Sequence, residues 1–78
     1  MVSLNHDPDV FVAIGVSLGQ KARMARVALD LRQVDVADLA DVAQAHVSAL
    51  ERNVYVIPSI RRRILAALGL TDDEEGQS

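Results

Sequence analysis

The chain has no cysteine and no tryptophan. Without thiols it can hold neither a disulfide framework nor a thiolate metal site, so nothing covalent staples its core. Aromatics are almost missing, with Phe11 and Tyr55 the only two. That is too few for a platform on which single-stranded nucleic acid could stack, so both rings are expected in the core or an interface. The two histidines, His6 and His46, stand far apart with no ligand spacing around them. No Ser/His/Asp set, no carboxylate pair in apolar surroundings and no Gly-rich phosphate loop can be assembled. The expectation is a protein that is not an enzyme and uses no metal or cofactor. Long apolar runs are also missing. The longest, residues 10–19, is too short to span a bilayer, and no Lys or Arg precedes it. A soluble, cytoplasmic protein is therefore expected, with no membrane partner and no evident small-molecule ligand.

What remains is a helix-forming composition. Seventy-eight residues make one domain, which buries only roughly 60–65% of its unfolded surface. Val, Leu, Ile and Ala must build the core, and an Ala-rich mix favours helices over strands. The fold class expected is all-α, a compact bundle of four to five helices. The net charge is −3, but it is unevenly spread. Asp7 and Asp9 lie near the start, and Asp72, Asp73, Glu74 and Glu75 lie in the tail. Between residues 10 and 70, eight cations face five anions. This weak basic bias permits nucleic-acid binding without demanding it.

Residues 1–7 carry no pattern and are expected to be loose. Asp7-Pro8-Asp9 reads as a helix start, with Asp7 as N-cap. Val10, Ile14, Leu18, Ala22, Ala25 and Leu29 then follow steps of three and four. One helix over 8–29 satisfies this pattern. So do two helices with a joint near 17–19, since Gly15 and Gly19 weaken the middle. The spacing of these glycines is either coincidence or a place where another helix backs in closely. Met24 reads as a surface or gap-filling residue. A second helix is expected from Arg32 to Ala40, burying Val36 and either Leu39 or Ala40, and a third from Ala43 to Arg52. Asp30, Asp41 and Asn53 fall where the chain must reverse, and after Gly such residues best tolerate the left-handed conformation that ends helices. Val54-Tyr55-Val56-Ile57 is apolar and β-branched but has no partner strand, so it is expected to be an extended connector packed on the core. A last helix follows from Pro58 or Ser59, with Ile60, Ile64, Ala67 and Leu68 inside and Gly69 as its cap. Residues 71–78 are acidic and expected to be disordered.

The third helix has two unlike faces. Val47 and Leu50 share one side. Gln44, Ala45, Ser48, Ala49 and Arg52 share the other, which is small, polar and ends in a cation. With the helices placed, residues 18–69, about two thirds of the chain, resemble the Cro/phage-repressor (Xre) family of helix-turn-helix domains, a lambda-repressor-like fold. The family's opening Leu-Gly-x-x-Ile-Arg-x-x-Arg appears as Leu18, Gly19, Ala22, Arg23 and Arg26. Its Leu-Ser-Gln-x-x-Leu-Ala appears as Leu31-Arg32-Gln33-Val34-Asp35-Val36-Ala37. Ala40 takes the small position of the second helix, Asp41 replaces the turn glycine, and Val42 is the buried turn residue. Glu51-Arg52-Asn53 stands for Glu-Arg-Gly, and Ala67-Leu68-Gly69 closes the match. The signal is the joint spacing, since no single position is specific.

The resemblance implies a sequence-specific regulator of transcription that binds double-stranded DNA, acting as a repressor and a homodimer on a two-fold operator. Its third helix enters the major groove. Gln44 is then the candidate base reader, against an ordinary solvated Gln, with Ala45, Ser48 and Ala49 facing the groove. Gln33 matches a phosphate-contacting Gln. Arg32, where the family prefers Ser or Thr, loses a cap and adds a cation near the DNA backbone. Arg52 would reach phosphate just past the third helix. Arg61 and Arg62, with Arg63, fan over the last helix and read equally as phosphate contacts or a solvated face. His46 reads as a surface residue. Arg26 and Glu51 match a structural pair joining the first helix to the third. Ala43 replaces the usual Ser or Thr cap of the third helix, so that cap is expected to be weak. Residues 8–17 precede the family's usual start, and they are assigned to an extra dimerisation helix through Val10, Phe11 and Ile14. The alternative is a module of the same fold, or an antitoxin, whose main partner is a protein; the negative total charge and the Ala-rich reading face favour it.

Overall fold

In the computed structural model, which describes residues 16–71, Ser17 opens the first helix. It is extended (φ −80°, ψ 168°), and its hydroxyl accepts from the Gln20 backbone N–H at 3.1 Å while its own N–H donates to Gln20 Oε1 at 2.9 Å. This reciprocal box satisfies two donors that a helix start otherwise leaves orphaned. It sets where the helix begins: α1 is Leu18–Ala28, with Ser17 as its cap. The helix start at Asp7-Pro8, the loose segment 1–7, the dimerisation residues Val10, Phe11 and Ile14 and the acidic tail beyond Thr71 lie outside the described residues.

Three further helices follow, α2 (Gln33–Ala40), α3 (Gln44–Glu51) and α4 (Pro58–Ala67), with no strand among the described residues. All four helices end in the same way. The residue past each end is left-handed: Asp30 (φ 59°), Asp41 (φ 59°), Asn53 (φ 61°) and Gly69 (φ 76°). The next N–H reaches back to a carbonyl in the last turn: Leu31 to Arg26, Val42 to Ala37, Val54 to Ala49 and Leu70 to Leu65, at 2.8–3.0 Å. Each is the paired-bond helix stop that Gly makes most easily. Here three are made by Asp or Asn, as the corners in the sequence predict. The apolar residue after each stop turns inward at Leu31, Val42 and Leu70, and these pack on the core.

α2 lies between α3 and α4, and α1 packs on α3. α2 contributes Val36, Ala37 and Ala40 to the core, α3 Val47 and Leu50, α4 Ile64 and Leu65. One open choice is settled and three expectations need correction. Leu39 is 65% exposed and Ala40 is buried, because the inward stripe of α2 is centred between Val36 and Ala37 and Leu39 lies nearly a third of a turn off it. Leu29 is exposed because it is the cap residue of α1, beyond its last turn. Of the connector only Val56 packs on the core, while Val54, Tyr55 and Ile57 are exposed. Tyr55, at 76% exposure, is therefore not a core residue.

The left-handed corners differ in what their side chains do. Asn53 Oδ1 accepts from the Gly19 N–H at 3.1 Å and its Nδ2 donates to Ser17 Oγ at 3.1 Å, so it clamps the end of α3 to the start of α1. Asp30 makes no such bond and simply bears the cost of its conformation. Asp30→Gly is therefore expected to stabilise the fold by about 0.5–1 kcal/mol. Asn53→Gly gains the same conformational relief but loses two tertiary bonds and is expected to destabilise it. Urea midpoints of the two variants check this, and two shifts of equal sign would remove the clamp from the account.

Candidate nucleic-acid interface

α2 and α3 meet at the Asp41–Ala43 corner and form the helix-turn-helix. Asp41 supplies the left-handed turn that the family's glycine would supply, and Val42 is half-buried against the core. Arg63 Nη1, from α4, donates to the Asp41 carbonyl at 3.3 Å. α3 begins at Ala43 with no side-chain cap, as its missing hydroxyl predicts.

The pair Arg26–Glu51 joins α1 to the last residue of α3. Arg26 Nε donates to Glu51 Oε2 at 2.6 Å and Nη2 to Oε1 at 3.1 Å, a two-pronged arrangement of high geometric specificity. Arg26 Nη1 also donates to the Leu31 carbonyl at 3.0 Å, tying in the corner after α1. The side chains are only 15% and 5% exposed. Burial pushes the Glu51 carboxyl up. The hydrogen bonds from Arg26 and Gln33 and the charges of Arg26 and Arg23 outweigh it and hold the carboxyl below its usual value. The Arg26 guanidinium is correspondingly held more firmly protonated, chiefly by its hydrogen bond to Glu51.

The network continues outward. Gln33 Nε2 donates to Glu51 Oε1 at 3.2 Å, and Gln44 Nε2 donates to Gln33 Oε1 at 3.3 Å. A line of polar contacts thus runs from the buried ion pair through the first residue of α2 to the first residue of α3. Gln44 is exposed at its end. This use leaves Gln44 its carbonyl oxygen and one amide hydrogen, the donor–acceptor pair that a bidentate bond to adenine needs.

The other predicted residues fall as follows. Ala45 and His46 are exposed, while Ser48 and Ala49 are half-buried, Ala49 packing against the core. Arg52 is exposed, and its Nε donates to Ser48 Oγ at 3.3 Å. Arg32 is not the bare cation that its sequence position suggests. Its guanidinium grips Asp35 at 2.8 and 3.0 Å, and the Asp35 carboxylate also accepts the Arg32 backbone N–H at 2.8 Å. Asp35 thereby holds the start of α2, supplying the half of a capping box that the third helical residue contributes. These bonds, the Arg32 side chain's first, hold the Asp35 carboxyl down at about 2. At the start of α4, Arg61 is half-buried and Arg62 exposed. The Asn53 clamp and the Arg63 brace have no signature in the sequence. Their partners lie 34 to 36 and 22 residues away, beyond the reach of any local pattern.

A helix-turn-helix family model matches residues 23–74. That span covers α2, α3 and α4 and the C-terminal half of α1. Comparison with curated proteins and with solved structures gave no match. Among the described residues no helix is long and apolar enough to cross a membrane. The all-helical order, the turn between α2 and α3 and the extent of the match agree: the chain belongs to the Cro/phage-repressor (Xre-like) helix-turn-helix family, whose lambda-repressor-like domains bind DNA.

Proposed function

We propose that the chain is a sequence-specific regulator of transcription that binds double-stranded DNA as a homodimer on a two-fold operator and represses by occupying it. Such a protein works in the cytoplasm, where its DNA is. The observation that carries this reading is the polar line from Arg26–Glu51 through Gln33 to Gln44. A side chain meant only for solvation needs no such support. A base-reading side chain gains from being held before the DNA arrives, because less rotamer freedom is then lost on binding. Gln44 reads a base edge, with Ala45, Ser48 and the exposed part of Ala49 beside it in the groove. Gln33, at the N-terminus of α2, donates its remaining amide hydrogen to phosphate together with the helix's own N–H groups. Arg52, Arg61 and Arg62 add cations around the reading helix, and Arg32 adds another by sharing its charge between Asp35 and phosphate.

Homodimerisation follows from the size of the unit. One α3 of eight residues reads a short half-site, and α3 itself carries no cation ahead of Arg52. Two copies double the phosphate contacts and place the reading helices about 34 Å apart, one turn of DNA.

Selection of bound sequences from a random duplex library tests the reading. The expected product is an inverted repeat with half-sites roughly 10 base pairs apart. On the selected duplex, Gln44→Ala is expected to relax preference at one base pair per half-site by about 1–3 kcal/mol. Arg52→Ala is expected to weaken selected and scrambled duplexes alike. Identical behaviour of the two variants would contradict the assigned roles.

A further inference from the structure

A glutamine amide can be turned end for end with almost no change of shape, because its oxygen and its NH2 group are similar in size. The chemistry of the two ends is opposite, since one accepts and the other donates. A free Gln in a groove therefore offers both directions. In this fold the direction is dictated from inside. Glu51, its side chain 5% exposed, is gripped by Arg26 at both carboxylate oxygens. Held ionised in this way, the carboxylate has no hydrogen to give and can only accept. Gln33 must then turn its NH2 end to Glu51 Oε1, as it does at 3.2 Å. Its oxygen is left facing Gln44, which must answer with its own NH2 end, as it does at 3.3 Å. Two amides in series thus take their direction from one buried charge.

We propose that Glu51 is a positioning residue for base readout: by orienting Gln33 and then Gln44, it decides which strand of the contacted base pair must carry adenine. This rests on the base-reading role of Gln44 given above and adds a direction to it. Gln44 Nε2 lies on the side of Gln33, and its Oε1 is the end turned away. Gln33 stands at the start of α2, where the helix meets phosphate. In the major groove an adenine shows the acceptor N7 on the side of its own strand and the N6 amino donor nearer the middle of the pair. The second Nε2 hydrogen of Gln44 meets N7, and Oε1 meets the amino group, when the adenine belongs to the strand whose phosphate Gln33 holds. At the same place in the groove a turned-over pair shows the thymine methyl and O4. Nε2 then loses its acceptor and Oε1 faces another oxygen.

Two variants separate this role from simple support of the fold. Gln33→Leu keeps the Arg26–Glu51 pair and cuts the relay. Glu51→Gln keeps the shape of the side chain but gives it an NH2 group, so Gln33 and Gln44 are free to turn around. Affinity is measured for the selected duplex and for one in which the pair read by Gln44 is turned over (A·T to T·A) in one half-site. The native chain is expected to prefer the selected duplex roughly tenfold to a hundredfold. In both variants this ratio is expected to fall to the one that Gln44→Ala leaves, whatever happens to overall affinity. A purely structural loss weakens both duplexes together and leaves their ratio unchanged, so folded variants that keep the native ratio would overturn the proposal while the DNA-binding reading stands. The relay is also read without DNA, in the side-chain amide resonances of Gln44. One of its two protons is expected downfield in the native chain and back at its free position in Gln33→Leu; an amide indifferent to that change would overturn the relay itself. Absence of any duplex binding by the native chain, with the downfield proton present, would instead overturn the reading beneath it and the strand assignment with it.

Discussion

Glu51→Ala is expected to cost about 3 kcal/mol, a large part of the total stability of a domain this small. The substitution leaves the Arg26 guanidinium, 15% exposed, with the Leu31 carbonyl as its remaining partner, and leaves the Gln33 amide without its acceptor. The penalty comes mainly from an uncompensated, largely buried charge. Replacing both members by apolar residues of similar size, as in Arg26→Met with Glu51→Leu, is therefore expected to recover most of the loss. Urea denaturation of the two singles and the double gives the coupling directly. Simple additivity of the single effects would show that the pair is not a unit. The pair also sets an acid dependence. Glu51 titrates below its usual value when folded, so its contribution is complete above the usual Glu range and is lost as pH falls through the lowered folded value. Asp35 acts in the same sense, its carboxyl held down at about 2. Stability should thus fall from about pH 4.5 downward, and the Glu51→Leu double variant should show a shallower fall.

Gly19→Ala is the second large effect, and it runs against helix propensity. Alanine in a helix interior is favoured over glycine by up to about 1 kcal/mol. At position 19, however, a Cβ would lie 2.5 Å from the Leu50 carbonyl oxygen, 2.8 Å from that of Glu51 and 2.7 Å from Asn53 Oδ1. Two of these three atoms belong to backbone at the end of α3, so the methyl cannot be met by a side-chain rotation. α1 and α3 must separate, and the Asn53 clamp opens with them. A net loss of about 2–3 kcal/mol is expected, with weaker DNA binding in addition, because the end of α3 is displaced. Gly69→Ala provides the comparison. Nothing lies within 4 Å of its added Cβ, and only its left-handed backbone (φ 76°) opposes the change, so about 1 kcal/mol is expected there. Thermal melts of both variants check the ranking, and a smaller effect at 19 than at 69 would contradict the close approach.

The close packing at Gly19 was visible in the sequence only as one of two readings of a glycine spacing. The corners were more legible. Asp30, Asp41 and Asn53 each stand at a helix end where a left-handed residue is required, and all three adopt it. The Arg26–Glu51 pair was legible through the family pattern, although its 25-residue separation is invisible to periodicity. What local pattern missed has a common cause. Ala37 and Leu65 are buried while larger or equally apolar Leu39 and Leu29 are not. In helices of eight to eleven residues a stripe has only two or three turns, and tertiary contact decides which neighbouring position faces inward. The small side chain of Ala37 suits α2's central place, packed on both α3 and α4. Similarly, the link from Gln33 to Gln44 joins the starts of two helices, and only their packing angle brings the two amides to 3.3 Å. The residue types on the exposed face of α3 were thus legible in the sequence, and the side-chain bonds behind them were not.

The chain carries a net charge of −3 and α3 ends in a single cation, so the arginines outside α3 must supply most of any attraction to DNA. A salt titration of duplex binding therefore decides whether this chain binds DNA through its phosphates. For a dimer contacting phosphates through Gln33, Arg32, Arg52, Arg61 and Arg62, affinity for the selected duplex is expected to fall steeply between about 50 and 200 mM salt. The log–log slope should be about −0.9 for each phosphate neutralised, and Arg52→Ala should make the dimer's slope shallower by roughly 2, one contact per copy. No duplex binding at 50 mM salt, or binding that is indifferent to salt, would contradict it.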